Sequence, residues 1–197
     1  ERILDALPVG SLPCPAFERI RETEASDLRQ AEALVEVALD LQRQPRDPQE
    51  LVDAVFLYDQ AAGLAADVPL ARARAIAGKG TALRRMPGAG VEHLEAARAA
   101  FDEALPVLAA GGAPEEVAET EMNHGLVLQT LANVGRAPLP EAIAAYRRAL
   151  RFFDAAAYPR EYAILHNNLA TAYLSTSLVG GKEVLREALA VQSFREA

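Results

Sequence analysis

Tryptophan is absent from this sequence, cysteine occurs once, and aromatic residues make up only 6% of its 197 positions. Strands draw on aromatic and β-branched side chains, so a chain this poor in aromatics, with alanine and leucine supplying most of its 51% hydrophobic content, is expected to form closely packed helices. The lone Cys14 has no partner for an internal disulfide, which points to a reducing compartment and a cytoplasmic location. No apolar run approaches the roughly 20 residues that a membrane-spanning helix needs. Lysine is confined to Lys79 and Lys182, and the net charge is −8. An acidic surface repels phosphate backbones and anionic lipid, which argues against nucleic acid or a membrane surface as a partner. No secretory signal is visible, although the chain opens on Glu1 and processing would have removed one.

What the sequence does have is repetition. Apolar residues recur at helical spacing in eight segments, read at 24–44, 48–66, 69–86, 90–110, 114–134, 139–156, 160–177 and 182–197. Proline and glycine mark the breaks: Pro45 to Pro48, Asp67 to Pro69, Pro87 to Gly90, Gly111 to Pro114, Gly135 to Pro140, Tyr158-Pro159 and Gly180-Gly181. Asp47-Pro48-Gln49-Glu50 supplies an N-cap, a proline at the first helical position and a glutamate placed to close a capping box.

The odd-numbered segments resemble one another. Each has a small residue three before a large apolar one: Ala38/Leu41, Gly80/Leu83, Gly125/Leu128 and Ala170/Tyr173. The even-numbered segments share a second pattern, Ala54-Val55…Tyr58…Ala61, Ala97-Arg98…Phe101…Ala104, Ala142-Ile143…Tyr146…Ala149 and Ala190-Val191…Phe194…Ala197. Those aromatics are 43, 45 and 48 residues apart. A small residue lets two helix backbones approach, and a bulky residue from the partner helix fills the gap beside it. A fixed period implies helix pairs that stack to bury a continuous core, where an ordinary bundle requires no period.

Asn167-Asn168-Leu169-Ala170-Thr171-Ala172-Tyr173 and Glu141-Ala142-Ile143-Ala144-Ala145-Tyr146-Arg147-Arg148-Ala149-Leu150 resemble the two helices of the tetratricopeptide repeat family. The resemblance covers residues 24–197 and is strongest from 115 onward. It departs from the family in length, with copies of 42–48 residues against the usual 34. It implies an all-α, right-handed superhelical solenoid of about four antiparallel helix pairs, with copies at 24–66, 69–110, 114–156 and 160–197, behind a leader at 1–23. The first helix of each pair would line a concave groove. By this resemblance the lining is Glu32, Val35, Leu39 and Gln42; then Arg74, Ala77, Thr81, Arg84 and Arg85; then Glu119, Met122, Leu126, Gln129 and Thr130; then Ile164, Asn167, Thr171, Leu174 and Ser175. The expected groove is basic in its second copy, apolar in its third and neutral polar in its fourth. Only Asn167 fits the clamp that some members use for C-terminal carboxylates.

Few residues suggest chemistry. Glu121-x-x-His124 has the spacing of carboxylate-bridged di-iron helices, but no second such motif occurs, and a polar contact between helices is the expected use. His166 is expected at the surface or groove, near Glu161 or Asn123. Gly78-Lys79-Gly80-Thr81 lacks the upstream glycine and preceding strand of a phosphate loop. Arg147, Arg148 and Arg151 form a cationic cluster, expected to be solvated or paired with carboxylates such as Glu141 and Asp154. No acid, base and nucleophile converge, so neither an enzyme nor a cofactor or metal site is expected. The expected role is a scaffold or adaptor in a bacterial cytoplasm that binds a partner protein or peptide. The alternative is a regulatory repeat domain that binds a small molecule or signal peptide. At the far end, apolar Leu185, Leu189, Val191 and Phe194 imply either further repeats or a second protomer covering that edge. The apolar leader residues Ile3, Leu4, Leu7, Phe17 and Ile20 are expected to cap the opposite edge.

Overall fold

The computed structural model describes residues 26–88, 90–175 and 183–197. Cys14, the leader and the Gly180-Gly181 turn lie outside them. Among the described residues there are eight α-helices and no strand: α1 (Asp27–Arg43), α2 (Pro48–Leu64), α3 (Pro69–Arg85), α4 (Val91–Gly111), α5 (Pro114–Asn133), α6 (Leu139–Ala149), α7 (Pro159–Ser175) and α8 (Glu183–Glu196).

Proline opens five of the starts at or beside the first turn, where its missing N–H costs no hydrogen bond. At α2, Asp47 accepts a hydrogen bond from the Glu50 N–H at 3.1 Å. The reciprocal half of the expected capping box reaches one residue further back, because the Glu50 carboxylate accepts from Arg46 N–H at 2.6 Å and from Arg46 Nε at 2.8 Å. The sixth helix is shorter than the sequence implies, ending at Ala149 instead of 156. Backbone bonds tighten there, with Phe152 and Phe153 N–H both donating to Ala149 O. Asp154 then accepts from the N–H groups of Ala156 and Ala157, both at 2.8 Å. Phe152, Phe153 and Tyr158 pack mutually at centroid distances of 5.1–5.3 Å, which holds this turn in place.

Each helix packs on its sequence neighbours, and first helices also touch first helices (α1 on α3, α3 on α5, α5 on α7). The second helices have no comparable contact among themselves. This is a helical solenoid, with the first helices on its tighter side, and not a closed bundle. The core runs in clusters along the stack, and Ala137 packs against both the cluster of the first two pairs and that of the last two.

The small-against-large rule holds at two junctions. A Cβ on Gly80 would lie 2.9 Å from the Phe101 ring, and one on Gly125 would lie 2.5 Å from the Tyr146 ring. Tyr58 instead reaches forward to Gly78 of the following pair. The fourth copy breaks the pattern, because Phe194 is 47% exposed. Ala190, 1% exposed, takes the buried place, with Arg186 and Ser193 flanking it at the spacing of Ala142, Tyr146 and Ala149. Ala190 is 44 residues after Tyr146, in period, whereas Phe194 lies four too far.

Ion pairs tie one copy to the next. Arg74–Glu116, Arg98–Glu141 and Arg136–Glu95 join residues 42, 43 and 41 apart, close to one repeat length. Glu141 therefore belongs to Arg98, and Asp154 to its own loop, and neither pairs with the arginine cluster of α6. Arg148 binds Glu121 through two hydrogen bonds, and Arg147 donates to the Tyr173 hydroxyl at 2.7 Å.

Candidate functional site

The first helices run side by side in the same direction, since the C-terminal ends of α1 and α3 meet and so do the N-terminal halves of α3 and α5. Between α1, α3 and α5 they leave a cavity of about 300 Å³. Val35, Leu39 and Gln42 enter from α1, Ala77, Gly78 and Thr81 from α3, and Glu116, Glu119, Thr120 and Asn123 from α5, with Tyr58 at the back. A second chamber of about 280 Å³ shares Val35 and Arg74 with the first and adds Ala31, Glu32, Glu36, Ala61 and Ala71.

Of the expected groove residues, Arg74, Ala77, Thr81 and Glu119 converge here, along with the α1 residues Glu32, Val35, Leu39 and Gln42. Met122 and Leu126 do not. They are half-buried and packed against the core of the last two pairs, so the expected apolar middle is part of the stacking contact. Gln129 accepts a hydrogen bond from the Tyr146 hydroxyl at 2.6 Å, which occupies it structurally. Ile164, Asn167, Thr171 and Leu174 are exposed along α7, beyond the cavity. Thr81, Thr130, Thr171 and Ser175 each donate to the carbonyl four residues back, so these hydroxyls are already committed as donors.

The charge distribution differs from the expectation. Arg74 forms a two-pronged pair with Glu116, at 2.7 and 3.2 Å, so its charge is balanced locally. Arg85 is spent on the backbone carbonyls of Gln42 and Arg43, capping the C-terminal end of α1. Arg84 is half-buried, and its Nε has no hydrogen-bond partner among the described residues. Burial pulls its guanidinium below the ordinary value, and the neighbouring Arg85 charge adds to that. Charge is thus divided across the helices, with acids on the N-terminal edge and Arg84 and Arg85 on the other. It is not graded along the stack.

Glu119 stands on that acidic edge and lines the cavity. Partial burial raises its pKa first, and the charges of Glu115, Glu161 and Glu116 raise it further. Gln42, 7% exposed, has a buried Oε1 with no donor among the described residues. Tyr58 stays a neutral phenol, pushed up to about 12 by burial.

The histidines take other roles. His124 Nε2 lies 3.3 Å from Asp102 of α4, beside Phe101, while Glu121 holds Arg148 of α6. The Glu-x-x-His pair is therefore divided between two neighbouring helices as a polar contact. His166 packs its ring on Tyr162 at 4.4 Å and senses Glu196, not the expected Glu161 or Asn123. Among the described residues no group of three or more His, Cys, Asp or Glu side chains converges as metal ligands would. No described helix is long and apolar enough to cross a membrane.

Glu116 and Asn123 enter the site with little sequence signal. Each sits among ordinary helical polar residues, and only the approach of three first helices makes a cavity beside them. No protein-family model matches the sequence, and no curated protein matches it either.

Proposed function

We propose that this chain is a tetratricopeptide-type scaffold or adaptor, with the right-handed superhelix of that family, that binds a segment of a partner protein across α1, α3 and α5. The observation that carries this reading is the two-chamber cavity on the tighter side of the stack. It has apolar walls and a few converging polar groups, the usual make-up of a recognition site. The carboxylates, amides and apolar walls gathered there support a binding role. The single cysteine favours a reducing cytoplasm as its setting.

Affinity capture from the source organism tests this, using the wild type beside Asn123→Arg, which places a long side chain in the cavity mouth. A stoichiometric protein held by the wild type and lost in the variant, at unchanged melting temperature, is the expected result. A partner held equally by both overturns the reading. A ligand-dependent rise in melting temperature with small metabolites and no protein partner would favour the alternative, a sensory domain.

A second copy of this chain is the occupant we propose for the exposed face of α8, where Val184, Leu185, Val191 and Phe194 face solvent. An antiparallel pairing centred on Val191 sets Phe194 against the small Ala188 of its partner and Arg195 against Glu187. Light scattering of the whole chain decides this.

A further inference from the structure

We propose that the chamber between α1, α3 and α5 receives a basic side chain, lysine or arginine, carried on an extended segment of the partner, with the Glu119 carboxylate as counter-charge and Gln42 as a further acceptor. This rests on the groove reading above and adds the chemistry of what it recognises.

Two independent observations support it. The first is charge. Glu32, Glu36, Glu116 and Glu119 line the two neighbouring chambers against a single guanidinium, Arg74. Arg74 is already balanced by Glu116, and none of Glu32, Glu36 or Glu119 has an ion pair among the described residues. Three carboxylates therefore face the groove uncompensated. Arg84 and Arg85 stand at the opposite edge, where the helices end.

The second is the buried acceptor. Gln42 Oε1 is buried and meets no donor among the described residues, an arrangement that costs free energy until a donor reaches it. Gln42 lines the same chamber as Glu119, from the opposite helix. An anionic ligand would leave this acceptor unmet and would meet like charge at Glu119.

Shape narrows the ligand further. Val35, Leu39, Ala77 and Tyr58 make apolar walls, and lysine and arginine lay aliphatic stems on such surfaces while keeping a charged head among polar groups. About 300 Å³ is at the floor of the range for whole small-molecule sites. A second chamber beside it shares Val35 and Arg74, as suits a side chain whose backbone continues along the groove.

The test uses the full chain, isotope-labelled, titrated with Nα-acetyl-arginine methylamide and separately with its neutral citrulline counterpart. Saturable shifts of the Gln42 and Asn123 side-chain amides are expected with the arginine probe. They should weaken about tenfold with citrulline and about tenfold in Glu119→Gln. Glu119 is exposed, so this variant keeps its fold, which its melting curve verifies. Equal binding of citrulline, or an unchanged arginine affinity in Glu119→Gln, overturns the inference. So does agmatine binding at least as tightly as the peptide-like probe, since the ligand is then a free amine. A partner that is lost in Asn123→Arg but held by Glu119→Gln leaves the groove reading standing and overturns this inference alone.

Discussion

The Tyr146 ring fills the space that a side chain on Gly125 would need, with Cε1 only 2.5 Å from where a Cβ would lie. The tyrosine hydroxyl then donates to Gln129, one turn further along α5, so ring and hydroxyl together set the spacing of α5 and α6. Gly125→Leu is expected to force the helices apart and cost about 1–3 kcal/mol, the usual range for overpacking. Tyr146→Ala should also destabilise, but the double variant should lose less than the two combined, because the leucine then has room. Chemical denaturation of all four proteins measures that coupling. Additive losses would mean that the two residues do not share one space.

The same pairing marks how far the sequence could be read. Apolar residues at helical spacing located the eight helices of the described residues, because the turns between them carry proline or glycine and each pair had to bury the same stripe. It failed at the last aromatic. The motif Ala190…Phe194…Ala197 matches in spelling, but its spacing of 48 residues puts the aromatic one helical turn past the buried place. The end of α6 was missed for a different reason. Helical periodicity continues through Phe152 and Phe153, whereas their contact with Tyr158 and the Asp154 cap close a turn there. The cavity was half legible. Of the expected positions, those of α1 and Arg74, Ala77, Thr81 and Glu119 line it, those of α7 lie beyond it, and Met122, Leu126 and Gln129 are consumed by packing that depends on how far neighbouring pairs rotate. Nothing in the sequence reveals that Arg74 would be cancelled by a glutamate 42 residues away.

Glu121 is 7% exposed and holds Arg148 through both guanidinium prongs. Removing only the cation leaves a carboxylate in a poorly solvated place. Loss of one partner in a fully buried pair costs about 3–5 kcal/mol, and Arg148 is itself half-exposed, so Arg148→Met is expected to cost about 1–3 kcal/mol. Arg148→Met with Glu121→Leu should recover most of that loss, since no charge is then stranded. Urea unfolding at neutral pH provides the comparison. A double variant as unstable as the single one would show that the cost lies in packing and not in charge.

His124 is buried between α4 and α5, and burial holds its pKa below the ordinary 6.5, against the opposing pull of Asp102 and Glu121 and with help from Arg148 and Arg98. A histidine of lowered pKa binds fewer protons folded than unfolded, so stability is complete above the unfolded value and is lost as pH falls below it. The wild type minus His124→Phe difference in unfolding free energy is therefore expected to shrink as pH is lowered from about 7.5 towards 5. Using the difference removes the parallel contribution of His166, whose pKa burial also lowers. A difference that is flat with pH would mean that His124 titrates alike in both states.

Val191 and Phe194 are about half exposed on α8, each directly following a buried residue, Ala190 and Ser193. Substituting both with glutamate leaves the inner face untouched, so the fold and its melting temperature should hold. If two copies pair through this face, the change places like charges opposite each other at the centre of the contact. The wild type should then scatter light as a dimer whose fraction rises with concentration, and Val191→Glu/Phe194→Glu as a monomer. Replacing Arg195 by glutamate should weaken the dimer, because Glu187 then faces its own charge. Adding Glu187→Arg should restore it by exchanging the two signs. A wild type that is monomeric at the highest soluble concentration, or a rescue pair that fails while the single variants stay folded, removes the antiparallel pairing.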